Sequence, residues 1–438
     1  MDFVNKVSNV VINRYLGLVL ELISSIIIIR YLGPDDYGQY ITTYIMPLLI
    51  GSLGSLGFGP SIIYHIGIKS PSVRSYLYIF TSFGLLLGFL YYLLVTQAFD
   101  FLNYGLYEDR LNRSLFYIAA LFIPTIITQK YLRSIIRGLY HIKLYSILLD
   151  LIVPVLRLLL ILIVIYNNSK IGSVIYIPLL TQLIVTVYMF GYLFLIGDDR
   201  KKSQENKFLE FINIAKFALK NYLGTALQKG SIDIVMLIAS TLLSFRDMGM
   251  LSIAQKLLQG LSGISNSVVT VLMPKVSRSK LSEIRVFIPR VVSILFSFNI
   301  CLFFVFILLI ERIVLLLYGK DFQEVYILSI PLAGSAILLS ISNVLLSTLT
   351  FTGNPMIKTY SRGIGFLINL LLYYPLFTLF GTLGFVLSIT LGQISIFISS
   401  FLFFMQKFKD IGFKELFIPT MQDIDLLYKN FKYKIRKS

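Results

Sequence analysis

The chain alternates long apolar stretches with short polar breaks. Runs of mostly apolar residues, each near the roughly 20 needed to cross a bilayer as a helix, fall at about 8–31, 38–66, 75–99, 114–138, 145–167, 172–196, 216–243, 247–274, 288–310, 326–352, 357–380 and 382–405. The pattern therefore predicts twelve spanning helices. Lys220, Lys229 and Asp233 interrupt the seventh, where an interfacial helix is the alternative. The extended polar pieces are 197–215 and 406–438, too short for a soluble catalytic domain. The expected organisation is an N-terminal six-helix lobe at 1–196, a linker at 197–215, a second six-helix lobe at 216–405 and a basic tail at 406–438. No small-residue cleavage site follows the first stretch, so it reads as a retained helix rather than a signal peptide.

An internal repeat supports two lobes. Asp36-Tyr37-Gly38, between the first two helices, corresponds to Asp247-Met248-Gly249, between the seventh and eighth. After the fourth helix, Gly138-x3-Ile142-Lys143-x-Tyr145-Ser146 is matched after the tenth by Gly353-x3-Ile357-Lys358-x-Tyr360-Ser361. Six helices per repeat is an even number, so both halves enter the membrane in the same direction. The predicted pseudo-twofold axis then runs along the membrane normal, an arrangement suited to alternating access.

Composition agrees. Of 438 residues 56% are hydrophobic and 14% charged, whereas soluble domains carry roughly 45–50% and about 25%. The net charge of +17 would suggest nucleic acid in a soluble protein. Here the lysines and arginines sort to alternate sides of the twelve helices at roughly four to one, which places both termini in the cytoplasm. The charge is a topology signal, and no nucleic-acid partner is expected. A single cysteine, Cys301, and two histidines, His65 and His141, exclude a disulfide framework within the chain and zinc sites of the Cys/His type. No metal and no cofactor are expected. The glycine string from Gly51 to Gly59 lacks a following Lys-Ser/Thr and reads as close helix packing or a bend ahead of Pro60, not as a phosphate loop.

Seven ionisable residues fall well inside predicted helices: Arg14, Glu21, Asp150, Arg157, Lys229, Asp233 and Lys256. Each costs roughly 2.5–3.5 kcal/mol near a helix centre, so they should face one another or a polar cavity. Arg14 and Glu21 share one helix face, as do Asp150 and Arg157. Lys229 and Asp233 are spaced for an intrahelical ion pair, and Arg14 and Asp150 can also be read as snorkelling. Arg157 and Lys256 lack a carboxylate three or four positions away, and a cavity-lining role is expected of both. The candidate cations for an anionic substrate are Arg14, Arg157, Lys229 and Lys256, since phosphates pair well with Arg and Lys. Glu21 and Asp233 are candidates for proton or ion coupling, because burial raises a carboxyl pKa.

The run Arg30-Tyr31-Leu32-Gly33-Pro34-Asp35-Asp36-Tyr37-Gly38-Gln39-Tyr40 resembles the first-loop signature of bacterial polysaccharide repeat-unit flippases. These belong to the multidrug/oligosaccharidyl-lipid/polysaccharide exporter superfamily. Asp233, Asp247-Met248-Gly249 and Met273-Pro274-Lys275-Val276-Ser277 are similar to its second half, although Ser244-Phe245-Arg246 stands where a Leu-Gly-Pro-like turn is common. The resemblance implies an all-α, MATE-like polytopic membrane protein with helices one, two, seven and eight lining a central cavity. It also implies an inner-membrane flippase, not an enzyme, for undecaprenyl-diphosphate-linked O-antigen or capsule units. Membrane lipids, a polysaccharide polymerase and chain-length machinery are its implied partners. Rival readings are a multidrug/cation antiporter, a lipid-linked peptidoglycan-precursor flippase and, from another class, a membrane glycan polymerase or ligase.

Overall fold

Glycine, proline and carbonyl geometry decide where these apolar runs bend. A computed structural model describes residues 2–69, 72–167, 171–197, 207–258, 280–352, 354 and 356–419. The apolar run from residue 2 to 53 turns at Gly33, whose φ of 74° suits a residue without Cβ, and Pro34 cannot continue the preceding hydrogen-bond ladder. This gives α1 (2–32) and α2, which begins at 34. α2 is broken by a turn at 54–57, with Gly57 at φ 72°, and resumes as Phe58–Lys69. The glycine string thus forms the expected bend.

α3 is Val73–Gln97, and α4 runs through 113–138 with an interruption at Leu121, three residues before Pro124. α5 covers 142–166 and contains a wide-turn π segment, Ile147–Ile152. α6 is Ile171–Ile196 and α7 is Lys207–Leu242. α8 begins at 245 and is described to 258; the rest of the expected eighth helix, the 198–206 part of the linker and residues 420–438 of the tail lie outside the described residues. α9 is Leu281–Leu317 and α10 is Val325–Phe351. A second kink, at Gly381 with φ 57°, separates α11 (356–380) from α12 (382–407). Among the described residues eight stretches are long and apolar enough to cross a membrane; divided at Gly33 and Gly381 and joined by α7 and α8, they make the expected twelve.

Side-chain exposure marks the lipid-facing surfaces. On α3, Tyr76, Leu77, Phe80, Gly84, Leu87 and Gly88 are buried, while Leu86, Phe89, Leu90, Leu93 and Leu94 are exposed. Exposed apolar stripes of this length are stable only against hydrocarbon. The protein is all-α and multi-pass.

The described contacts form two compact units, residues 1–249 and 250–438. In the first, α4 is the central post, packed by α2, α3 and α6, and buried on most sides. Tyr131 of this helix clusters with Phe58, Phe80, Phe83 and Phe211. In the second, α10 packs against α9 and the 356–407 helices, while Phe417 from the short helix Phe413–Phe417 closes on Phe296 and Phe397.

Candidate functional site

The candidate site in the first unit is assembled where α1 meets α5. Pro154 has no N–H to offer the Asp150 carbonyl one α-turn back, and the Val153 N–H reaches instead to Leu148 O, five residues behind. This is the π geometry, often found at functional sites. The Asp150 carbonyl lies against Gly17 of α1, so closely that a Cβ there would overlap it. Its carboxylate accepts a hydrogen bond from Ser146 Oγ at 2.8 Å.

That close crossing brings Glu21, one turn beyond Gly17, beside Arg157, two turns beyond Asp150. Arg157 Nη1 stands 3.6 Å from Glu21 Oε1, within Coulombic reach but too long for a good hydrogen bond. The two side chains are 30% and 45% exposed, so the pair is partly solvated and contributes little to stability. The Arg157 Nε atom is buried without an acceptor among the described residues, and Tyr40 lies within its field. The site thus presents a guanidinium only partly satisfied by protein groups.

The other candidates are more scattered. Arg14 lies on α1 with an exposed side chain. Asp233 and Lys256 are half-buried on α7 and α8. Lys229 is in α7, but its side chain lies outside what the structure describes. The structure therefore brings Glu21, Asp150 and Arg157 to one helix crossing.

Sequence spacing missed Arg133. It lies on α4, counted with the loop charges, yet its Nε is buried without an acceptor among the described residues and the Asp150 carboxylate acts on it. Gln129, one turn earlier on the same face, also has a buried Nε2 without a partner there. Their one-turn spacing inside an uninterrupted helix was the available signal.

The opposite ends of these helices are fastened differently. Arg110 donates to Leu243 O at 2.8 Å, Thr241 O at 2.6 Å and Tyr107 O at 2.9 Å, so its guanidinium caps the C-terminal carbonyls of α7. Burial raises the Tyr107 phenol above its ordinary pKa, and the hydroxyl is 3.2 Å from Ser240 Oγ. A Cβ at Gly38 would overlap the Phe245 carbonyl, and one at Gly249 would stand 2.7 Å from the Pro34 carbonyl oxygen. Gly38 and Gly249 are equivalent in the repeat, as are Pro34 and Phe245. The two contacts are reciprocal across the repeat.

Helix kinks, lipid-facing stripes and repeated corners define the class: a multi-pass membrane protein with a transporter fold. The chain belongs to the polysaccharide biosynthesis protein family, whose model matches residues 3–280. Its fold is similar to a structure described as lipid II flippase MurJ in an inward closed conformation, with TM-score 0.75, 15% identity, and 93% of this chain and 88% of that one covered. It is also similar to an inward-facing multidrug resistance MATE family transporter of the MOP superfamily, with TM-score 0.70, 15% identity, and coverage of 90% and 95%. An outward-facing MATE structure gives TM-score 0.63 at 14% identity, with coverage of 92% and 96%. No curated protein matches the chain by sequence.

Proposed function

We propose that this protein is a flippase of the bacterial inner membrane. It carries an undecaprenyl-diphosphate-linked oligosaccharide, an O-antigen or capsule repeat unit, from the cytoplasmic to the outer leaflet by alternating access of two six-helix lobes, 1–196 and 216–405. Both termini are cytoplasmic, and no covalent chemistry is required. Membership of the polysaccharide biosynthesis family carries the reading, and the partly satisfied Arg157 guanidinium suits it, because a diphosphate supplies acceptors that Glu21 alone does not. Arg14, Lys229 and Lys256 are the further cations, and Asp233 and Glu21 the candidates for ion coupling. The prenyl tail stays in hydrocarbon while the headgroup crosses. A polymerase and chain-length machinery would use the product on the outer face.

A cation antiporter is the second reading, favoured by the MATE likeness. Against it, Glu21, a carboxylate that could meet a cationic drug, already faces Arg157. Replacing Arg157 and Lys256 by Ala is expected to lower surface glycan about tenfold or more at equal protein level, as for the loss of a charge-assisted contact of ~1.5–3 kcal/mol. Undiminished glycan in a strain lacking other flippases would refute the substrate-contact assignment.

A further inference from the structure

The second copy of the repeated corner, at the start of α11, holds cations that no carboxylate among the described residues pairs. Lys358, Ser361 and Arg362 are spaced i, i+3, i+4 and share one face. That face is opposite the exposed stripe of Met356, Tyr360, Leu367 and Leu371, so it turns away from lipid. Lys358 and Arg362 are half-buried like charges one turn apart. Arg362 Nη2 donates to the neutral Asn343 Oδ1 at 3.0 Å, and its Nε is buried without an acceptor among the described residues. Lys407 brings a third cation to the same corner, donating to Thr352 O at 2.6 Å and Thr352 Oγ1 at 2.8 Å. Among the described residues none of the three forms an ion pair with a carboxylate.

The first copy carries a carboxylate, Asp150, which accepts from Ser146. The corresponding position here is Gly365, and the packing keeps it so: a Cβ at Gly365 would stand 2.6 Å from the Gly392 carbonyl oxygen. Ser361 is fully buried with its hydroxyl unpartnered among the described residues, whereas its counterpart Ser146 donates to Asp150. An acid at 365 would not fit without moving the crossing of α11 and α12.

We propose that Lys358 and Arg362 form a binding site for a phosphate oxyanion, and that its occupant is the diphosphate headgroup of a lipid-linked substrate. A guanidinium fork with one amino group held by Asn343 keeps its other amino group for an oxyanion, and the lysine supplies a point charge one turn away. In naming a lipid-linked headgroup the proposal rests on the flippase reading; the anion site itself does not.

The test uses the purified full chain in detergent, titrated with undecaprenyl diphosphate, inorganic diphosphate and uncharged undecaprenol, with binding read by native mass spectrometry. Undecaprenyl diphosphate should bind at least about tenfold more weakly to K358Q/R362Q than to the wild type, with R362K recovering part of the loss and undecaprenol unaffected. If inorganic diphosphate binds as tightly as the lipid and loses affinity equally in the variant, the oxyanion site stands and the lipid-headgroup assignment is overturned. Equal affinity of wild type and K358Q/R362Q for both diphosphates, in a variant whose thermal unfolding is unchanged, overturns the site. Surface glycan in the Arg157 and Lys256 variants is read separately, so loss of the transport reading leaves a binding difference at Lys358 and Arg362 intact.

Discussion

The corners at 138–150 and 353–365 share a sequence pattern but treat charge in opposite ways. In the first, Ser146 bonds the Asp150 carboxylate, and that carboxylate acts on Arg133 of the neighbouring helix. In the second, the serine hydroxyl has no partner among the described residues, the acid is Gly365, and two cations stand one turn apart. Each corner also has a glycine at a close helix crossing: Gly17 lies against the Asp150 carbonyl, and Gly365 against the Gly392 carbonyl of α12. The two corners share a sequence pattern while their charged groups differ: one carries a carboxylate at 150, the other a glycine at 365 and two cations one turn apart.

The largest effect should come from forcing the second copy to resemble the first. Gly365→Asp adds a side chain where backbone already stands and should abolish folded protein or lower stability by about 3 kcal/mol or more, judged by yield and thermal unfolding in detergent. Gly365→Ala separates sterics from charge and should cost about 1–3 kcal/mol; a wild-type melting temperature for both would mean that the crossing does not exclude the acid.

Making the first copy resemble the second should cost less. Asp150→Asn removes the carboxylate acting on Arg133 and weakens the Ser146 contact, and should destabilise by about 1–3 kcal/mol while adding one diphosphate-binding event to those of the wild type in mass spectra. If stability and binding stoichiometry both stay unchanged, Asp150 does not neutralise this corner. The smallest contrast lies in the serines. Ser146→Ala should cost about 1 kcal/mol, and Ser361→Ala should be neutral or slightly stabilising, because only the first loses a made hydrogen bond. Equal shifts in melting temperature would erase the distinction.

Much of the fold was legible because its punctuation is chemical. Gly33-Pro34 ends α1 near the expected boundary, and α11 and α12 divide at Gly381 between the expected stretches. The π segment was not legible, since an extra residue per turn in the apolar run 147–152 leaves no change of hydrophobicity. Nor was the partnership of Glu21 with Arg157: spacing grouped each with a residue of its own helix, whereas the pair depends on Gly17 letting α1 approach α5. Lys358 and Arg362 were legible as charges but counted toward topology, because a sequence near a helix end does not reveal whether a cation turns to water or to the protein.

The reciprocal joint of Gly38 with Phe245 and Gly249 with Pro34 has an ancestral consequence. In a pair of identical half-chains, one glycine would create both joints at once, and any change to one would change the other. In a single chain the two can differ. Pro34 and Phe245 already differ, so the two joints are chemically unequal, an asymmetry no dimer of equal halves can encode.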